Sequence, residues 1–131
     1  MSTRSKSRKE ALDQLFQNDL RGKAISNIAS TDIEALRDYA QEVLVGVIAN
    51  SSRIDDLIRS YIQGWDFDRL PNVDRNILRI AIWELLWSQT PEAVVIDEAL
   101  KLATELSTES SPGFIHGVLS KIAGIKGSIA L

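Results

Sequence analysis

The residues Ile77-Leu-Arg-Ile-Ala-Ile-Trp-Glu-Leu-Leu-Trp87 are apolar at nine of eleven positions, and only Arg79 and Glu84 interrupt the run. The spacing predicts a helix that begins around Pro71–Asp74 and ends at about Gln89. A helix that is apolar on nearly every side is stable in water only when other elements surround it. We therefore expect this segment to be the centre of the fold, with the rest of the chain packed around it.

The flanking sequence is also helical in pattern, because apolar residues recur at three-to-four spacing and no convincing period-two strand occurs. A first helix is predicted over about Arg4–Arg21. Thr31 with Glu34 three residues later matches a capping box, so we predict a single second helix from there to near Asn50. The remaining helices are predicted from Ser51 or Ser52 to about Gly64, from Pro91 or Val94 to Leu106, and from a cap at Ser111 with Pro112 at the first position.

Two segments depart from the helical pattern. Residues 65–71 hold two aromatic side chains and a proline, and we expect them to form a packed linker. Two glycines near the C-terminus predict a loose tail over residues 125–131. Within the predicted helices, Gly46 and Gly117 cost about 1 kcal/mol each relative to alanine, so each should allow the close approach of a neighbouring helix.

The length is typical of one domain, residues 1–131, and the helical pattern predicts an all-α fold with about six to seven helices. A chain of this length can bury a core without cross-links. The absence of cysteine excludes disulfides and thiolate metal sites, and a single histidine disfavours histidine-rich sites. No apolar run approaches the roughly 18 residues of a membrane span. We expect a soluble, cytoplasmic protein that needs no metal or cofactor.

The net charge of −3 conceals an uneven distribution. Residues 1–9 hold no acid, whereas residues 10–131 hold 11 basic and 18 acidic residues. A short basic arm on an acidic body indicates local contact with an anion such as nucleic-acid phosphate, although a frayed, solvated terminus explains the same pattern. Phe16 continues the helical ridge of the arm and is a candidate for base stacking, although core packing is the commoner role. The basic residues of the arm are Arg4, Lys6, Arg8 and Lys9.

No arrangement of residues in the sequence indicates an enzyme. The chain has no glycine-rich phosphate loop, and His116 has no metal-ligand spacing to a glutamate or a second histidine. Glu84 stands among large apolar residues, where an unpaired carboxylate is costly to bury. Arg79 is poorly spaced to pair with Glu84 on one helix. We therefore expect another helix to supply hydrogen bonds to Glu84, which would make its role structural rather than catalytic.

Five segments follow one another along nearly the whole chain: Arg8–Gln17, Glu42–Val47, Trp65–Leu86, Val95–Ala103 and Ser111–Leu119. No single segment is diagnostic. In this order and at this spacing, they resemble the NusB family of bacterial transcription antitermination factors.

The resemblance implies both a fold and a role. The fold would consist of two packed three-helix subdomains joined through the long central helix, without catalytic activity. Members of the family bind the boxA element of nascent transcripts, usually together with the small-subunit ribosomal protein that is called NusE in this role. They help to assemble a complex that keeps RNA polymerase from terminating early, notably on ribosomal RNA operons.

The resemblance also assigns site residues by position. Phe16 and Asp74 match positions near the surface that binds the protein partner. Gly113 stands where the family commonly has a lysine, so the RNA surface beside it carries less charge. Lys9 stands where an acid is usual, and we include it as the next basic residue of the arm. The residues that match RNA-contacting positions, or that lie beside the last helix where it approaches RNA, are Arg4, Lys6, Arg8, Ser110 and Phe114.

We therefore predict a non-catalytic RNA-binding adaptor whose arm contacts phosphates and whose partner protein completes the site. Two alternatives stay open. One is a homodimeric helical scaffold without an RNA function, because some members of the family are thought to self-associate through the same face. The other is a stand-alone relative of the helical domain that is fused to ribosomal RNA cytosine methyltransferases.

Overall fold

The chain is described by a computed structural model that covers residues 2–130. Within these residues it is entirely helical, with seven α-helices and three short 3-10 segments, which confirms the predicted fold class. The α-helices are α1 Thr3–Leu20, α2 Ser30–Glu34, α3 Asp38–Ala49, α4 Ser51–Tyr61, α5 Asn72–Trp87, α6 Glu92–Leu106 and α7 Ser111–Ile125. The 3-10 segments are Ile25–Asn27, Phe67–Arg69 and Lys126–Ser128.

Helix α5 is the centre of the fold, as its apolar sequence predicts. Twelve of its 16 residues are buried, and it packs against α1, α3, α4, α6 and α7. Helix α1 packs on α3 and helix α6 packs on α7, while α4 contacts both α5 and α7. This arrangement agrees with two helical groups joined through the central helix. No helix within residues 2–130 is long and apolar enough to cross a bilayer.

Glycine turns end two of the helices at the predicted places. Gly22 follows α1 with a φ of 65°, and Gly64 follows α4 with a φ of 76°. Both angles lie in the left-handed region, which side chains with a Cβ rarely adopt. The chain can therefore reverse direction at these two points without strain.

The single second helix that we predicted from Thr31 to near Asn50 is wrong, because the chain forms α2 and α3 with a break before Asp38. Ala29 precedes α2 without a side-chain cap, so the predicted capping box does not form. Two contacts stabilise the break, one from α1 and one from the first turn of α3. The Arg37 amide donates to Glu10 Oε1 at 3.3 Å, and Gln41 Nε2 donates to the carbonyl oxygen of Leu36 at 2.9 Å.

The linker over residues 65–71 is packed in part. Phe67 and Leu70 are buried, which confirms the prediction for this half of the segment. Trp65 is 59% exposed, so the expectation that both aromatic side chains would be buried is wrong. Phe67 is thus the aromatic residue of the linker that packs inside the protein. The guanidinium carbon of Arg59 lies 4.3 Å from the centre of its ring.

Gly46 brings α3 close to the central helix. A Cβ at this position would lie 1.9 Å from Trp83 Nε1 and 2.2 Å from Trp83 Cε2. The close neighbour is thus an indole ring of α5 rather than a second backbone. A Cβ at Gly117 would have no neighbouring atom within 4 Å. The close approach predicted there therefore does not occur among the described residues.

The C-terminal segment over residues 125–131 leaves α7 through the 3-10 turn Lys126–Ser128. Ile129 then packs, partly buried, against the core. Leu131, the last residue of the expected tail, lies outside the described residues.

Candidate nucleic-acid interface

The basic arm forms the first two turns of α1. Ser2 caps the helix, since its Oγ accepts a hydrogen bond of 3.1 Å from the amide of Ser5. Arg4 and Lys6 are exposed, whereas Lys9 is half-buried and its ammonium group pairs with Glu105 of α6. The charges of the arm are therefore presented on a formed helix rather than on an irregular segment.

Arg8 differs from the other basic residues of the arm because it is only 3% exposed. Its Nε donates to Glu84 Oε1 at 2.7 Å and its Nη2 donates to Glu84 Oε2 at 2.9 Å. Burial works to lower the pKa of Arg8, but the hydrogen bonds and charge of Glu84 outweigh it and raise that pKa. The expectation of Arg8 as a surface contact therefore needs correction: its charge is used inside the protein.

Glu84 accepts the hydrogen bonds that we predicted from its position among large apolar residues. Besides the two from Arg8, the Tyr39 hydroxyl donates to Glu84 Oε2 at 2.8 Å. Burial raises the pKa of Tyr39, which keeps its proton on the hydroxyl. The donors come from α1 and α3, which confirms the prediction that helices other than α5 would supply them. Arg79 is directed elsewhere, with its Nε 2.9 Å from Asp55 Oδ1.

Tyr39 lies beside the arm, although its place in the sequence does not indicate this. The guanidinium carbon of the exposed Arg4 lies 4.3 Å from the centre of the Tyr39 ring, and that of Arg8 lies 5.6 Å from it. Both arginines lie on α1 and Tyr39 lies on α3, and no spacing along the chain links position 39 to the arm. Only an aromatic residue at the start of an apolar helix was visible in the sequence.

A groove of about 570 Å³ runs beside the arm. Phe16 lies in it and is half-buried, so this side chain is only partly used by the core. The groove joins the predicted arm and the predicted partner position on one face of the protein. Its lining includes Lys6, Lys9, Phe16, Arg37, Val73 and Leu106.

Asp74, which we predicted near the partner surface, is not part of the groove lining but follows Val73, which is. It is 3% exposed and accepts hydrogen bonds from Ser107 Oγ and, at 2.9 Å, from Ser111 Oγ. Buried carboxylates are stable when such donors satisfy them. Asp74 therefore holds the turn between α6 and α7 in place and is not itself exposed for contact with a partner.

The start of α7 presents an aromatic pair. Ser110 is exposed at the turn and Phe114 is half-buried one turn into the helix. The rings of Phe114 and the exposed Trp65 lie 5.8 Å apart between centres, with an angle of 57° between their planes. Trp65 is therefore a second residue that the analysis of the sequence did not place at the surface, because a tryptophan in an apolar linker is usually buried.

No group of three or more potential metal ligands occurs within residues 2–130. His116, the one histidine, is exposed on α7.

Comparison with known proteins identifies the family. A sequence profile of the NusB family matches residues 5–124. The chain belongs to the NusB family. A NusB relative, the transcription antitermination protein NusB of Nocardioides sp., is 44% identical over 135 residues, which cover 99% of this chain and 100% of the relative.

Solved NusB structures share the fold. NusB of T. maritima is 35% identical and superimposes with a TM-score of 0.82, covering 94% of this chain and 92% of the other. A structure of the antitermination factors NusB and NusE in complex with dsRNA contains a chain that is 27% identical, with a TM-score of 0.77 and coverage of 92% and 96%. The similarity thus spans both helical groups on either side of α5.

Proposed function

We propose that this chain is a transcription antitermination factor that binds RNA as a non-catalytic adaptor. The observation that carries the proposal is its similarity, over nearly the whole chain, to NusB relatives named for antitermination, one of which has been solved with NusE and RNA. The ligand of this chain is then the boxA element of nascent ribosomal RNA transcripts. Its place of action is the cytoplasm, where bacterial transcripts are made.

The exposed basic residues of α1 support a phosphate contact. Arg4 lies in the first turn, which holds no acidic residue, and Lys6 lies in the second. Positive charge is unfavourable at this end of a helix, by about 0.3–1 kcal/mol per residue at low salt. An anion bound there is attracted by both the side chains and the helix dipole. The placement is therefore poor for folding and favourable for binding phosphate.

The remaining surface suits the strand and the partner. Ser110 can donate to a phosphate, and the faces of Phe114 and Trp65 can stack with bases, each worth about 1–3 kcal/mol in single-strand binding. Phe16 lies in the groove beside Lys6 and Lys9, where a protein related to NusE would cover apolar surface and extend the RNA site. The complex with RNA polymerase would then assemble on this pair.

The experiment is an anisotropy titration of boxA-like RNA with the chain alone and with the NusE-type ribosomal protein, at two salt concentrations. A scrambled RNA of the same length is the control. We expect weak, salt-sensitive binding by the chain alone and tighter, sequence-dependent binding by the pair. Absence of binding in both arms would refute the proposal.

Sedimentation of the free chain addresses the alternative occupant of the groove. If a second copy covers Phe16, the chain sediments as a dimer, and the NusE-type protein should convert it to a heterodimer. A dimer that the protein partner cannot dissociate and that binds no RNA would instead support the homodimeric scaffold.

A further inference from the structure

Tyr39 stands where three helices meet beneath the basic arm. It is the second residue of α3, it is half-buried, and its hydroxyl donates to Glu84 Oε2 at 2.8 Å. Glu84 is itself 1% exposed and held by two hydrogen bonds from Arg8. A side chain bonded to such a fixed carboxylate has little freedom to move. The Tyr39 ring is therefore held in a fixed position, and its face forms a rigid surface beneath the arm.

The guanidinium of the exposed Arg4 packs against the face of the Tyr39 ring. Its guanidinium carbon lies 4.3 Å from the centre of the Tyr39 ring, within the range of a cation–π contact. Stacking on the ring face leaves the N–H groups at the edge of the guanidinium free for an oxygen ligand. Arg4 thus keeps its capacity to bind phosphate while its side chain is confined.

The opposite flank of the same helical turn is also tied down. Ser5 Oγ donates to Glu98 Oε1 at 2.6 Å, and Arg8 Nη1 lies 3.7 Å from the same oxygen. Contacts to α3, α5 and α6 therefore surround the first turns of α1. The backbone that carries Arg4 is held as firmly as its side chain.

We propose that Tyr39 is a positioning residue for RNA binding, which orders Arg4 in advance so that its guanidinium meets an RNA phosphate without first losing its rotamer freedom. An arginine side chain has much of this freedom to lose when it is free in water. Tyr39 acts through Arg4 and has no contact with RNA itself. The inference rests on the proposed RNA-binding function and adds to it the residue that prepares the contact.

A double-mutant cycle tests the coupling. RNA affinity is measured by anisotropy for the parent, Tyr39→Leu, Arg4→Ala and the double variant. We expect Tyr39→Leu to weaken binding about two- to fivefold, the equivalent of losing an exposed cation–π contact. In the Arg4→Ala background, the same substitution should have almost no effect on affinity.

Two further variants separate positioning from general stability. Tyr39→Phe keeps the ring under Arg4 and should bind RNA more tightly than Tyr39→Leu. Tyr61→Leu makes the same substitution at a half-buried tyrosine at the end of α4, and it should lower thermal stability without changing RNA affinity.

A second measurement needs no RNA. The side-chain Nε–H signal of Arg4, assigned by its loss in Arg4→Ala, should show restricted motion in ¹⁵N relaxation of the parent and greater motion in Tyr39→Leu. Equal motion in the two proteins would overturn the inference. So would a parent that binds RNA but loses the same affinity on Tyr39→Leu in both backgrounds, and this result would leave the proposed function intact. A parent that binds no RNA overturns both proposals.

Discussion

Glu84 accepts three hydrogen bonds from Arg8 and Tyr39 while being 1% exposed. Replacing Glu84 by alanine removes the carboxylate to which the buried Arg8 guanidinium is hydrogen-bonded and leaves only Glu98, whose Oε1 lies 3.7 Å from Arg8 Nη1. Loss of one partner of a buried ion pair costs about 3–5 kcal/mol. We therefore expect Glu84→Ala to lower the free energy of unfolding by about that amount in urea titrations.

Glu109 provides the control for this prediction, because it is exposed in the turn between α6 and α7. Surface substitutions usually change the free energy of unfolding by less than about 0.5 kcal/mol. We expect Glu109→Ala to cause a change no larger than this. If Glu84→Ala were equally mild, the ion pair would not contribute to the stability of the core.

Gly46 and Gly117 make a matched pair with opposite expected signs. Both lie inside helices, where alanine is favoured over glycine by about 1 kcal/mol. At Gly46 the new methyl group would lie 1.9 Å from Trp83 Nε1, and such overpacking costs about 1–3 kcal/mol. Thermal unfolding should show a lower Tm for Gly46→Ala and an equal or higher Tm for Gly117→Ala. A higher Tm for both would mean that Trp83 moves away at no cost.

Helix α1 combines two roles along one element. Its inner face supplies Arg8 and the apolar residues of the core, and its N-terminal turns present the free charges of the arm. This division explains why a substitution of every basic residue in the arm would mix a folding defect with a binding defect. The two effects separate when Arg8 is left in place.

Arg4→Ala combined with Lys6→Ala should weaken RNA binding and reduce the salt dependence. Two lost phosphate contacts on a single strand lower the magnitude of the log-affinity against log-salt slope by about 1.4. Thermal stability should change little, because the loss of the Arg4 contact with the Tyr39 ring offsets the removal of two unfavourable charges from the positive end of the helix. Anisotropy titrations at several salt concentrations and a melting curve measure both effects.

The matched control removes the same charge elsewhere. Lys23, beyond the C-terminal end of α1, and Arg53, on α4, are both exposed, and their double alanine variant should keep the slope of the parent. An unchanged slope in the Arg4 and Lys6 variant would contradict the phosphate contact and leave the arm as a solvated helix end.

The break between α2 and α3 shows that the local sequence pattern is not enough to predict where a helix ends. Thr31 and Glu34 have the residue types of a capping box, but the helix begins at Ser30 and stops at Glu34. Glu10, which lies on α1, contacts Arg37 at the break. A contact across 27 positions of sequence is invisible to a window of one helix, so the boundary could not be predicted.

The groove beside α1 involves the whole molecule, because it needs α1, the start of α5 and the end of α6 together. Phe16→Glu replaces an aromatic ring of its lining with a charge. We expect this variant to bind the NusE-type protein at least about tenfold more weakly, which corresponds to about 1.4 kcal/mol. RNA binding by the chain alone should weaken much less, because the new carboxylate shares the groove with Lys6 but no basic residue is removed. Calorimetry with the protein partner and anisotropy with RNA measure the two affinities.

Val45→Glu is the control for the groove, since Val45 is 57% exposed on α3 and lies outside the lining. It introduces the same charge at an apolar surface position, and the affinity for the protein partner should not change. Equal weakening by both variants would indicate a non-specific effect of charge rather than a docking site at Phe16.

The helical class, the central position of α5 and the basic character of the arm follow from the order of residues alone, because periodicity and local charge need no knowledge of neighbours. The sequence also predicts that Glu84 accepts hydrogen bonds, because burying an unpaired carboxylate is costly whichever residue pairs with it. Folding selected those donors. It placed Arg8 inside and left Arg4 on Tyr39, although both are arginines on one ridge, because only the packing of α3 and α5 against α1 determines which charge meets a carboxylate and which meets water.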